Sequence, residues 1–439
     1  MCYSIKLRNR WSGDGRSSSV SKWPVLHVYF EPPDQQGRAS LRLTLPSGKG
    51  DTAKIELPFS LSQIAPLIRA LNVRQYPDYP EHDRLMLQGE ARHELIKNLQ
   101  TLNLWIGDAD NGMVPADVHL RVGQQLGLAF LRDASMRRAL GVLRDMAIQA
   151  GGGEVCLHFA PRAEIFAELP WELTHDGLQP MLLCHGTVLN CTRVLTFTHA
   201  LPPETIIRDR IRILTIAPQA QMSEDARQFE RLARRHLRDA MQGLPVDIEV
   251  LPQTTMPKLR ERLVRDPAID VIDYYGHGKF AENGAVLLMD DDMGASEPVS
   301  VTRLAALPRL PWLMVLHACG SGQLRGDEPL TGLAAALSSV GVRAVVAMQL
   351  TTRATAATHV VAPVLYRELA RHRSVQQAVA AVRQSLYIDE PDGASWYLPV
   401  LYLRHVEDDP VVLVYCPEKD LSGFGLTIPD LCVCMVRWS

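Results

Sequence analysis

A thiol and an imidazole at the ends of two apolar runs are the side chains of this sequence best placed to do chemistry. Residues 269–280 read Ile-Asp-Val-Ile-Asp-Tyr-Tyr-Gly-His-Gly-Lys-Phe, and residues 312–322 read Trp-Leu-Met-Val-Leu-His-Ala-Cys-Gly-Ser-Gly. His277 ends the first run and Cys319 the second, and a glycine follows each at once. A thiol attacks a carbonyl only as thiolate, so it needs a nearby imidazole or other positive element to lower its pKa from about 8.5. The pair therefore points to nucleophilic attack on a carbonyl carbon. Gly278 and Gly320 let the backbone turn sharply, so that amides near Gly278 and Cys319 could hold the oxyanion of a tetrahedral intermediate. The 42-residue separation of His277 and Cys319 is too long for a zinc knuckle.

Other groups compete for a place in such a site. His317 is a rival imidazole two residues before the cysteine, on the same strand face as Cys319 only if the strand persists that far. Asp273, Asp327 and Glu328 could grip a basic substrate side chain, and Arg325 and Arg353 an acidic one, against the plainer reading of surface or turn solvation for all five. Residues 320–330 are rich in Gly, charge and Pro, which suits a loop that orders around substrate. Asp290-Asp291-Asp292 lacks calcium-loop spacing and reads as a solvated hairpin turn.

Stepping outward, short apolar runs that end in glycine read as buried strands of a parallel sheet, whose carboxyl ends carry the chemistry of open α/β proteins. Strands are expected at 211–217, 246–251, 269–275, 312–317, 342–348 and 398–403. Helices are expected at 224–242, 257–265, 331–340, 356–371 and 375–387, the last opened by a Ser374/Gln377 capping box. Strands alternating with helices imply a mainly parallel sheet covered on both faces. Before Pro202-Pro203, residues 25–59 alternate as an antiparallel β-meander. Helices then fit 62–72, 91–105 and 134–149, and strand 154–160 leads to extended segments over 182–194. The organisation expected is a flexible start (1–23), a meander with an α/β half (24–200), a second α/β half (204–415) and a tail (416–439). Cys184-His185-Gly186 imitates a reactive pair, but adjacent strand residues point to opposite faces.

Gly276-His277-Gly278 and Ala318-Cys319-Gly320-Ser321-Gly322 resemble the histidine and cysteine motifs of the CHAT family, caspase-like cysteine peptidases of the clan that also holds caspases, metacaspases and separases. Leu169-Pro170-Trp171-Glu172-Leu173, Gly341 to Ala347 and the helix running from Ser374 towards Trp396 fit the same family. The resemblance covers about residues 100–405. It implies a caspase-like αβα sandwich after a degenerate pseudo-caspase half, with His277 and Cys319 as a catalytic dyad acting on a protein substrate without cofactor or metal. It also implies dormancy until a partner or signal arrives. Several members belong to bacterial defence or cell-death systems and some cleave gasdermin-like pore formers. Metacaspase-like relatives carry an acid where His317 stands, so the family's reason for gripping basic residues does not transfer. The alternatives are a pseudopeptidase scaffold and a nucleotide-binding doubly wound domain, the latter disfavoured because no Gly-x-Gly-x-x-Gly follows a strand.

Composition agrees with a globular protein of two subdomains: 439 residues, 46% hydrophobic and 22% charged. A net charge of -3 argues against nucleic acid held by bulk electrostatics, and the basic stretch Arg231 to Arg238 reads as a solvated helix face. Without a signal-peptide core or a run of about 18 apolar residues, a cytoplasmic, membrane-free protein is expected. Cys156, Cys184 and Cys191 read as core thiols, and Cys432 and Cys434 lack the spacing and second pair of a zinc site.

Overall fold

A computed structural model describes residues 23–34, 37–75, 89–109, 111–183, 188–195, 206–208, 210–220, 224–281, 284–318, 331–350, 360–389, 395–404 and 413–415. Its sixteen strands are β1 (Val25–Phe30), β2 (Arg38–Thr44), β3 (Gly50–Glu56), β4 (Gly153–Phe159), β5 (Leu189–Leu195), β6 (Ile206–Arg208), β7 (Ile211–Ile216), β8 (Val246–Val250), β9 (Val271–Gly276), β10 (Gly278–Ala281), β11 (Gly284–Asp290), β12 (Ser296–Ser300), β13 (Leu313–Ala318), β14 (Ala344–Met348), β15 (Pro399–Leu403) and β16 (Leu413–Tyr415). Eleven of them form one sheet in the order β3-β2-β1-β4-β5-β15-β14-β13-β9-β7-β8.

This sheet is mostly parallel, but in two blocks. β1, β4, β5 and β15 run parallel to one another, as do β14, β13, β9, β7 and β8. β15 joins the blocks by pairing parallel with β5 and antiparallel with β14. The carboxyl ends of the two blocks therefore lie at opposite edges. β2 and β3 add the expected antiparallel meander on the flank of β1.

Both faces are covered, as the near-continuous apolar strands of a parallel sheet require. In the second block, Ile213, Val271, Val315 and Val346 pack on one face with residues of helices Glu224–Ala240 and Ala362–Ala370. On the other face Ile272, Met314 and Val345 pack with Met256–Val264, Val301–Ala305 and Thr331–Ser339. In the first block Leu26, Val28 and Phe30 meet helices Ile64–Arg74, Val118–Leu131 and Ala134–Ala150. Ala233 and Leu237 are buried while Arg231 and Arg235 are exposed, so the basic stretch is the solvated face that its spacing implies. The Ser374/Gln377 capping box forms reciprocally, at 3.1 and 3.2 Å. Among the described residues no helix is long and apolar enough to cross a membrane.

Three expectations need amending. Among the described residues of 182–194 the extended segment is Leu189–Leu195, whereas Met181–Leu183 is a 3-10 turn. Helix Val118–Leu131 has no counterpart in the sequence reading; Gly123 and Gly127 lower its helical propensity, yet both are needed there. A Cβ on Gly123 would overlap the carbonyl of Leu173 and one on Gly127 that of His175, so the two glycines let the Trp171–Leu173 segment lie directly on the helix. The third addition is a small antiparallel sheet, β10-β11-β12, between the two apolar runs. The Asp290-Asp291-Asp292 run lies at its β11–β12 hairpin, where Asp291 accepts from the amides of Met293 (2.9 Å) and Ala295 (2.7 Å).

Candidate functional site

β9 and β13 carry the two apolar runs and are direct neighbours. Their parallel ladder holds register from Val271 opposite Leu313 to Gly276 opposite Ala318, the residues immediately before His277 and Cys319. Strand alternation places Asp273 and Tyr275 on one face of β9, and Val315 and His317 on the same face of β13. Cys319, Gly320, Arg325, Asp327, Glu328 and Arg353 lie outside the described residues, as do Cys184 and His185.

The turn bearing His277 is fixed by Tyr274. Its hydroxyl lies 2.9 Å from the carbonyl oxygen of His277 and 2.6 Å from that of Leu288 on β11, and burial pushes the phenol far above its ordinary pKa. The ring curls back across Gly276, where a Cβ would overlap the phenol oxygen. Gly276 is thus required by close approach, a need the sequence reading assigned to Gly278 and Gly320 alone. The N–H of Leu288 donates to the His277 carbonyl at 3.0 Å, making that pair a bonded rung of the β10–β11 ladder. The next pair, Gly278 opposite Leu287, is then an unbonded rung, and its N–H groups point away from the partner strand. The Gly278 amide consequently faces outward beside half-buried His277.

His317 and Asp273 meet each other. His317 Nε2 lies 2.8 Å from Asp273 Oδ1, both side chains have 0% exposure, and the imidazole stacks on Tyr275 at 4.5 Å between centroids. Burial and the adjacent Asp273 carboxylate hold the hydroxyl of Tyr366, on helix Ala362–Ala370, well above its usual pKa. Asp273 therefore has no surface to offer a substrate in this arrangement, which corrects its place among the pocket candidates. The same burial removes His317 as a rival imidazole. The pair escapes sequence reading because it depends on the register of two strands 44 positions apart.

A second polar constellation lies where the two blocks of the sheet meet. Glu172, in the Leu169 to Leu173 motif, is fully buried and pairs with Arg193 of β5 at 2.5 Å and with Arg383 of helix Val375–Asp389 at 3.6 Å. Gln349, just after β14, donates to Glu172 Oε2 at 3.3 Å and accepts from Arg193 at 3.2 Å. Arg383 also donates to the carbonyl of Pro399, which opens β15, at 2.8 Å, and to Asn190 Oδ1 at 2.6 Å. Trp171 packs against Phe30 and Phe130, with 5.4 Å between ring centroids in each case, as the large anchor its size implies. The carboxylate beside it is not legible in the sequence, because its partners lie 21 and more residues away.

The CHAT domain family model matches residues 121–409 of the chain. Among solved structures, a chain of the Saccharomyces cerevisiae separase–securin complex at 2.6 Å resolution is similar at 13% identity and a TM-score of 0.48, covering 90% of this chain and 31% of that one. The same complex at 3.0 Å matches at 13% identity and a TM-score of 0.44, covering 88% of this chain and 30% of that one. The chain thus spans about a third of the length of these structures' chains. No curated protein matches.

Proposed function

Because the chain belongs to the CHAT domain family, we propose that it is a cysteine endopeptidase in which His277 and Cys319 act as one dyad on a protein substrate. The observation that supports this most directly is the β9–β13 ladder, in register up to Gly276 and Ala318. Continuing each strand by one residue would set His277 and Cys319 side by side, about 4.8 Å apart along the hydrogen-bonding direction and on one face.

In this reading His277 takes the thiol proton and the Cys319 sulfur attacks the scissile carbonyl carbon. The electron pair of the C=O bond moves to oxygen, which the outward amide of Gly278 and the amide of Cys319 hold. As the tetrahedral intermediate collapses, the C–N bond breaks and the imidazolium passes its proton to the leaving amine. Water, deprotonated by His277, then hydrolyses the thioester and restores the thiol. Asp327, Glu328 and Arg353 remain the candidates that select the side chain before the scissile bond. The setting we infer is a bacterial defence or cell-death system in which an activating protein partner releases the peptidase onto a target such as a gasdermin-like pore former.

The test is cleavage of proteins encoded beside this gene, assayed with candidate activators from the same locus. Cys319→Ala, His277→Ala and the double change should each abolish cleavage to a similar extent, because residues that act as a unit are non-additive. Cys319→Ser should also be nearly inactive, since a hydroxyl is far less acidic than a thiol. Equal cleavage by wild type and Cys319→Ala would replace the peptidase with the scaffold reading.

A further inference from the structure

On the first block of the sheet, remote in sequence from the residues assigned to peptide cleavage, two histidines and a cysteine converge on one point. The parallel β1–β4 register places His27 beside Cys156 and Tyr29 beside His158. Strand alternation turns all four away from the apolar face formed by Leu26, Val28 and Phe30. His27 Nδ1 lies 3.0 Å from His158 Nε2, and one nitrogen of each ring and the Cys156 sulfur all fall within 4.8 Å of one another. Cys156 is fully buried, His158 is 9% exposed and His27 is half-buried. The face of the Tyr29 ring covers His158 at 4.2 Å between centroids, fixing its plane.

We propose that His27, Cys156 and His158 form a zinc site that ties β1 of the N-terminal meander to β4 beside it. A hydrogen bond between two imidazoles accounts for the short nitrogen–nitrogen distance, but it needs no thiol. A third, soft donor converging on the same point is what a mixed nitrogen–sulfur site for zinc requires. Two zinc–nitrogen bonds of about 2.0 Å at a tetrahedral angle put their nitrogens about 3.3 Å apart, so the rings need only separate slightly. Binding forms two Zn–N bonds and one Zn–S bond and breaks the S–H bond of Cys156, whose proton goes to solvent. The proton between the rings moves to an outer ring nitrogen, and a water at the half-buried His27 side supplies the fourth ligand. The site ties residue 27 to residues 156 and 158, which is why no local metal motif announces it. The one sequence trace is Cys156-x-His158, which on a strand sets both donors on one face.

The experiment uses the full chain, stripped with a chelator and titrated with zinc alone and with cobalt as a spectroscopic substitute. Wild type should bind one zinc, melt at a higher temperature with it, and show a sulfur-to-cobalt charge-transfer band. Cys156→Ala should lose the band. His27→Ala, on a half-buried side chain outside the apolar core, should fold normally by circular dichroism and bind zinc at least about 100-fold more weakly, more than loss of an outer partner commonly costs. A wild type that binds no zinc, a charge-transfer band that survives Cys156→Ala, or unchanged zinc affinity in folded His27→Ala would overturn the assignment.

Discussion

The hydroxyl of Tyr274 joins the carbonyls of His277 and Leu288, and its ring occupies the space a side chain at Gly276 would need. Two substitutions probe this brace. Tyr274→Phe removes the hydroxyl that bridges the two carbonyls, leaves that of His277 only its bond from the Leu288 N–H, and should lower unfolding free energy by about 1–3 kcal/mol in urea titration. Gly276→Ala forces ring and backbone apart, should cost a similar ~1–3 kcal/mol, and should also depress cleavage because the His277 turn moves. An unchanged urea midpoint for both would count against the brace. The buried Asp273–His317 pair gives a different pattern. Asp273→Asn weakens a buried hydrogen bond and should reduce stability without altering the peptide side chain preferred, read from a peptide library. A changed preference would return Asp273 to the substrate pocket. The turn that carries His277 is legible in the sequence because a glycine-flanked residue at the end of an apolar run is a local signal. The burial of Asp273 is not legible there, because its partner is set by strand register, to which a single run is blind.

At the scale of elements, the segment around Trp171 owes its position to two opposite devices. Gly123 and Gly127 open one side of helix Val118–Leu131 to its backbone, and buried Glu172 is gripped by Arg193, Arg383 and Gln349. Removing one partner from a buried ion pair strands the other's charge, so Glu172→Leu should destabilise by about 3–5 kcal/mol. A Glu172→Leu/Arg193→Leu double variant should lose less than the two single losses combined, since it removes both charges of the closer pair and leaves only Arg383 without its carboxylate. Additive losses by chemical denaturation would show that the network is not coupled. The strands of the second half were legible because buried parallel strands are continuous apolar runs. The helix over 118–131 was not, because its glycines answer to a neighbour rather than to helical propensity. Likewise β10 and β12 are only four and five residues long, and their pairing with β11 identifies them as strands.

Over the whole molecule, one eleven-stranded sheet runs through both halves, and β15, late in the chain, is the strand that joins them. A fragment beginning near residue 205 would lack β1 to β5 and expose the β15 edge that β5 covers, so it should aggregate. A soluble, active fragment would show that the first half is dispensable. This joining was beyond sequence reading, since the alternation of strands and helices predicts parallel blocks but not where their direction reverses. The same sheet brings the ends of β9 and β13 together, and that is the central claim to test. The most direct measurement is the rate at which an electrophilic peptide labels Cys319, followed by mass spectrometry in wild type and in His277→Ala. The account predicts preferential labelling of Cys319 at neutral pH, slowed by about 100-fold or more when His277 is removed, the contribution expected of a positioned base. Labelling spread over other cysteines, or a rate at Cys319 indifferent to His277, would contradict it.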